Sequence, residues 1–173
     1  HTVTEKHGAE SLSKGHKTFW DMRLSVVPME ISVFALFRNN EKYVEEYEAQ
    51  WERAELFYPN IQFTYNVFEN DSTDGTILKL GDFARGRKCS VFSKTIGSES
   101  YGNVRSVERT VRLSTFRNAG IYASDESLGS SQWSVLCDTD MFWDPSAIGD
   151  MYETALENPD AVMITCYGTD MKF

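Results

Sequence analysis

Histidine is nearly missing from this chain. Its three histidines, His1, His7 and His16, all lie near the start of a sequence of 173 residues. A Ser-His or Cys-His catalytic pair is therefore excluded from the rest of the chain, as is a histidine-rich zinc site. Cysteine is scarce as well. Cys89, Cys137 and Cys166 lack metal-ligand spacing, and three cannot all pair with one another. Each sits in an apolar, strand-like setting, so buried free thiols and a reducing, cytoplasmic compartment are expected. Long apolar runs and a basic-then-apolar leader are both lacking, so no membrane span is expected in this chain. Positive charge is in deficit too. Lys plus Arg number 17 against 26 Asp plus Glu, a net charge of -9 that argues against nucleic acid as a partner.

What is present points to a packed domain. Hydrophobic residues make up 41% and aromatics 13%, enough to bury a core in a chain of this length. Residues 1–28 mix Gly, Ser, Lys and Glu with little periodicity and read as an N-terminal arm, with Phe19 and Trp20 as anchors. Residues 29–173 read as one domain. The charge is uneven. From Arg85 to Arg117 there are eight basic residues against two acidic ones, so that segment carries +6 and the remainder -15. A basic segment in an acidic chain suits a local anion such as a pyrophosphate; a solvated basic helix face is the plainer alternative.

Hydrophobic periodicity sets out the elements. Residues 31–37 form a continuous apolar run, as in a strand covered on both faces. Residues 40–56 repeat Val44, Tyr47, Trp51 and Ala54 at helical spacing. A second strand is expected over 61–68, then a polar turn leading into a helix over 77–83. A short strand over 89–92, a small-residue loop over 97–103 and a long helix over 104–123 follow. A buried strand over 132–137, a helix over 146–156 and a strand over 161–167 complete the pattern. This alternation predicts an α/β, Rossmann-like fold with a mostly parallel sheet flanked by helices. In such sheets ligands bind outside the carboxyl ends of the strands. Two polar clusters fall there, residues 69–74 and residues 138–140.

The second cluster is Asp138-Thr139-Asp140. Carboxylates at alternate positions of an extended segment project to the same side. Such a pair suits a hard divalent cation that also holds phosphate oxygens. Three strings occur in order: Ser72-Thr73-Asp74-Gly75-Thr76 after Glu69-Asn70-Asp71, then Arg117-Asn118-Ala119-Gly120-Ile121, then Asp138-Thr139-Asp140. In this order they resemble the GT-A glycosyltransferases and their D-x-D motif. The longer string Arg109-Thr110-Val111-Arg112-Leu113-Ser114-Thr115-Phe116-Arg117-Asn118 is similar to the fungal capsule-associated mannosyltransferases. It is similar also to capsid-glycan glycosyltransferases of large algal viruses.

The resemblance, over residues 31–170, implies a hexosyl- or deoxyhexosyltransferase. Such an enzyme takes a sugar from a nucleoside-diphosphate sugar to a glycan acceptor with Mn²⁺ or Mg²⁺. By that resemblance Ala35, Phe37, Arg38, Glu69 and Asn70 line the base and ribose pocket. Asp138 reaches the ribose or the metal, Asp140 binds the metal, and Arg112 or Arg117 faces the pyrophosphate. Tyr101 and Asn103 would be further donor contacts. The chemistry agrees, since negative charge builds on the leaving phosphate and a cation with arginine stabilises it. A UDP-sugar is favoured. Glu69 can accept from the N3–H of uracil, and Phe37, Phe68 and Arg38 crowd the site toward a single ring. The mannosyltransferase resemblance pulls toward guanine.

Plainer readings stand beside these. Ser72 and Asp74 serve equally as helix caps, and Asp71 as a solvated acid. Arg105, Arg109 and Arg112 share one helix face and form an exposed stripe, with Arg117 about 120° away. Asn118 and Gly120 suit helix-on-sheet packing, and Trp133 and Trp143 suit a core or pocket wall. A sugar-phosphate nucleotidyltransferase is one alternative, although Phe37-Arg38-Asn39-Asn40-Glu41 lacks the glycines its loop needs. A non-catalytic GT-A-like binding module is the other. Only 33 residues follow Asp140, and Asp144 and Asp170 are the spare carboxylates there. The acceptor half is thus abbreviated or supplied by further domains of a longer protein, and no catalytic base is assigned.

Overall fold

Alternation along two strands organises the molecule. The structure, a computed structural model, describes residues 29–97, 106–124, 131 and 133–164. Strand β1 (Met29–Phe37) points Met29, Ile31, Val33, Ala35 and Phe37 to one face. Strand β2 (Ile61–Asn70) lies parallel to it, with Val33 opposite Tyr65 and Phe37 opposite Glu69. Its Ile61, Phe63, Tyr65 and Val67 join the same face.

Three helices cover that face. Helix α1 (Glu41–Phe57) buries Val44, Tyr47, Gln50, Trp51 and Ala54, the expected stripe with one polar addition. Helix α2 (Thr76–Phe83) adds Leu80 and Phe83, and helix α4 (Ser146–Glu157) adds Ile148. Trp51 is fully buried at the centre, edge-on to Phe63 and Tyr65 at 5.4 Å each and to Trp143 at 4.8 Å. Edge-to-face aromatic pairs of this kind add to the area they bury.

The opposite face carries helix α3 (Val107–Ala123) and is far more polar. Ser32, Thr64, Asn66 and Asn70 are all buried on it. Helix α3 settles there through Phe116, stacked on Phe68 at 6.2 Å, and through Gly120. A Cβ at Gly120 would come within 3.2 Å of the Phe68 Cβ, so the missing side chain lets the helix approach the sheet.

Strand β3 (Cys89–Lys94) pairs with β2, and strand β4 (Trp133–Leu136) pairs with β1, both parallel. The order is β3-β2-β1-β4, so the chain builds outward from β1 and then crosses to its other side. The α/β alternation and the parallel sheet agree with expectation. Two expectations do not. Strand β4 is not buried: Trp133 is 39% and Leu136 54% exposed, because β4 is an edge of the described sheet and pairs on one side only. No strand forms over 161–164, the described part of the expected last strand; these residues follow a turn that closes α4. No helix among the described residues is long and apolar enough to cross a membrane.

Candidate functional site

The crossing from β3 back to β4 leaves a crevice between the carboxyl ends of β1 and β4. In open α/β sheets this switch point is where ligands bind. A small cleft there is lined by Leu36, Asn66, Arg117, Gly120, Cys137 and Asp138, with Ala35 beneath.

The Asp138-Thr139-Asp140 segment is a turn rather than strand, since β4 ends at Leu136. The expected alternation survives nonetheless, with Thr139 buried and both aspartates exposed. The turn is anchored at several points. The Cys137 N–H donates to the Phe34 carbonyl at 3.0 Å, extending the β1 ladder by one bond. The Thr139 hydroxyl donates to the Leu36 carbonyl at 3.4 Å. The Gln50 side-chain amide donates to the Met141 carbonyl at 3.1 Å and accepts from the Trp143 N–H at 2.8 Å. Gln50 was not singled out from the sequence, although a polar residue on the apolar stripe of α1 was a readable signal.

Arg117 and Asp138 are brought together. The guanidinium donates to the Asp138 carboxylate at 2.9 Å, joining α3 to the turn, with the two side chains 42% and 59% exposed. An arginine fork and the Asp138 carboxylate therefore meet at the crevice, with Asp140 exposed on the turn two residues on. Arg112 is exposed on the same helix, five residues earlier. The rest of the basic segment divides. Arg87 lies far from the crevice in function: it donates to Glu48 at 2.8 Å and Glu52 at 3.1 Å, approaches Glu55 at 3.6 Å, and clamps the end of α2 to α1. Arg85 pairs with Asp82 at 2.9 Å. Arg87 is not available as an anion site, because three glutamates of α1 already hold it, whereas the Arg85 side chain stays 82% exposed.

The first polar cluster laces two loops together. Asn39 N–H donates to Ser72 Oγ at 3.0 Å, and Asn40 N–H to Thr76 Oγ1 at 2.9 Å. In return Thr73 N–H donates to Asn39 Oδ1 at 2.8 Å, and Gly75 N–H to Glu41 Oε2 at 3.0 Å. Asp74 accepts from Glu41 N–H at 3.2 Å and from Thr76 N–H at 3.1 Å. Burial opposes ionisation of Asp74, yet the hydrogen bonds from Thr76 and Glu41 hold its carboxyl below the usual value. Asp74 thus serves the first N–H of α1 and of α2, although Gly75 holds the N-cap position of α2, while Ser72 ties the loop to Asn39 instead of capping a helix. Asp71 is not merely solvated. Its Oδ1 accepts from the Ile96 and Gly97 N–H groups at 2.7 and 2.8 Å, gathering the exit of β3 onto the end of β2.

Glu69 is buried at the end of β2, beside the end of β1. One carboxylate oxygen accepts from Ser72 N–H at 2.8 Å and the other from the Ser93 hydroxyl. Asn70 is buried next to it and donates to Asp71 at 3.1 Å. Arg38 is half-buried, its backbone N–H on Asn40. Phe37 faces the aromatic core, edge-on to Tyr47 at 5.2 Å, and Phe68 lies under α3. Neither ring crowds the crevice, which removes them from the size argument for a single-ring base. Trp143 packs on Trp51 as expected of a core wall, whereas Trp133 is 39% exposed on edge strand β4, edge-on to Tyr152. Tyr101, Asn103, Arg105, Cys166 and Asp170 lie outside the described residues. Cys89 and Cys137 are free and half-buried, and burial pushes each thiol up to about 11.

Among the described residues no three acidic, histidine or cysteine side chains converge on a metal position. Two exposed carboxylates remain, Asp138 and Asp140. That set fits an ion of the Mg²⁺ type, which takes one or two carboxylates and completes its shell with water and phosphate oxygens.

No protein-family model and no curated protein sequence matches the chain. Solved structures do. S. aureus TarS 1-349 in complex with UDP-GlcNAc superposes with a TM-score of 0.50 at 17% identity, over 76% of this chain and 32% of TarS. TarS 1-349 in complex with UDP gives 0.51 at 18% identity, over 76% and 33%. The fold is of the GT-A type. This chain spans about a third of the TarS chain it matches.

Proposed function

We propose that this chain is the donor-binding part of a metal-dependent glycosyltransferase, which takes a sugar from a nucleoside-diphosphate sugar to a glycan acceptor. The observation that carries the proposal is the Arg117–Asp138 pair, with Asp140 two residues on, at the switch point of a GT-A fold. Breaking the bond between sugar and diphosphate loads negative charge onto the leaving phosphate. The Arg117 fork suits two phosphate oxygens at once. Asp140, with Asp138, would hold the Mn²⁺ or Mg²⁺. When bound, that ion supplies Lewis-acid stabilisation of the same charge. Arg112 is a second candidate for the diphosphate.

Glu69, Asn70, Ala35 and Arg38 remain the candidates for the base and ribose side. The oxygens of Glu69 each accept one bond already, and a carboxylate oxygen has a second lone pair for a uracil N–H or a ribose hydroxyl. The TarS complexes with UDP and UDP-GlcNAc support the lean to a UDP-sugar. A non-catalytic binding module is the second reading. Hydrolysis or transfer of the donor sugar separates an enzyme from a binder.

Calorimetric titration of UDP and GDP, with and without Mn²⁺, tests the proposal. Wild type is expected to bind UDP more tightly than GDP, weakly without the metal and more tightly with it. Asp140→Asn is expected to fold and to lose the metal-dependent part. Wild-type affinity in that variant defeats the metal assignment. Tighter GDP binding overturns the uracil assignment alone, and no diphosphate binding at all overturns the glycosyltransferase reading.

A further inference from the structure

Gln50 is out of keeping with its surroundings. It lies on the buried stripe of α1 between Tyr47, Trp51 and Ala54, and only 2% of it is exposed. A methionine or leucine would fill that volume with no polar group to satisfy. The amide is nevertheless fully used. One N–H bond goes to the Met141 carbonyl and another to the Glu46 carbonyl at 3.3 Å, and the amide oxygen accepts from Trp143 N–H. Both long-range partners are backbone groups in the segment leaving the Asp138-Thr139-Asp140 turn. On the other side of Asp140, Thr139 is tied to Leu36 of β1. Asp140 is thus held between two fixed backbone points while its own side chain faces solvent.

We infer that Gln50 is a positioning residue for the donor site: its amide fixes the exit of the turn so that Asp140 is set for the metal and diphosphate before they arrive. The inference rests on the donor-binding role proposed above. The physical need is preorganisation. A carboxylate on a loose turn must be ordered at the moment of binding, and a misplacement of about 1 Å can cost on the order of a hundredfold. Burying the clamp in the α1 core gives it the rigidity that the exposed turn lacks.

Two variants test this. Gln50→Met removes both bonds to the turn and keeps the volume. Gln50→Glu keeps the shape, but an ionised carboxyl there cannot donate to the Met141 carbonyl. Hydrogen–deuterium exchange over residues 138–143 and titration of UDP with and without Mn²⁺ are the readouts. In Gln50→Met the Trp143 amide is expected to exchange faster and Mn²⁺–UDP to bind about tenfold more weakly. UDP binding without metal is expected to stay unchanged, which a general loss of folding would not allow. In Gln50→Glu burial raises the carboxyl pKa. Affinity relative to wild type at the same pH is then expected to recover as the pH falls towards about 6 and the acid can donate again.

Unchanged exchange in Gln50→Met overturns the clamp. Faster exchange with wild-type Mn²⁺–UDP affinity overturns the positioning role alone. A wild-type protein that binds no diphosphate in Mn²⁺ refutes the donor-binding reading and the positioning role with it.

Discussion

The side of the sheet under α1 and α2 and the side under α3 are held by different forces. Helix α1 buries five side chains, two of them aromatic, and meets a face of Phe, Tyr, Val and Ile. Helix α3 is equally long, at 17 residues, yet buries only Gly120 and leaves Val107, Val111 and Tyr122 exposed. Its sheet face sets Ser32, Thr64, Asn66 and Asn70 among only two buried aromatics, Phe34 and Phe68. Charges divide in the same way. Arg87 is enclosed by three glutamates, whereas Arg117 meets Asp138 at an open crevice. The difference teaches that packing energy gathers on one side while groups able to meet a charged ligand gather on the other. A binding site cannot afford side chains already saturated by the core.

The largest expected effect comes from attacking the packed side. Trp51→Ala should lose about 3–5 kcal/mol of stability by urea unfolding, the range for a buried aromatic cut to Ala. A loss well below that range would mean the core relaxes and the contrast is weaker than drawn. On the open side Arg117→Ala should weaken diphosphate binding by about 1.5–3 kcal/mol, the range for charged hydrogen bonds. Its stability should barely move, since a half-exposed pair contributes little. Arg87→Ala should do the reverse, lowering stability and leaving diphosphate affinity intact. Equal binding losses for both arginines would break the division of the basic segment. The smallest effect is expected at the joint between α3 and the sheet. Gly120→Val must push against the Phe68 Cβ and should cost about 1–2 kcal/mol by the same unfolding assay.

Much of this architecture was readable one residue at a time. The period of Val44, Tyr47, Trp51 and Ala54 located α1 because burial of a helix stripe is a local pattern. The apolar runs of β1 and β2 announced strands covered on both faces. The covering of β4 was not readable, because an apolar tetrapeptide looks the same at an edge and in the middle of a sheet. The order of the motifs placed Arg117 and Asp138 in one region, and the structure joins them. The lacing of residues 39–41 with 72–76 depends on which loops the topology sets side by side, a long-range fact that capping preferences do not contain. Arg87 taught the same lesson in reverse. A charge count sees eight basic residues between positions 85 and 117, but the glutamates at 48, 52 and 55 reach Arg87 only after α1 and α2 have docked.

The strand order also sets a timetable for making the molecule. β1 pairs on one side with β2, about thirty residues downstream, and on the other with β4, about a hundred residues downstream. At a synthesis rate of about 5–20 residues per second, the β4-facing edge of β1 waits roughly 5–20 s for its partner. Over that interval the nascent chain presents an unpaired, mostly apolar strand edge, Ile31 to Phe34, to anything nearby with backbone donors and acceptors. The residues that complete the crevice are the same ones that close this edge, so the ligand site comes into being only when that edge is covered.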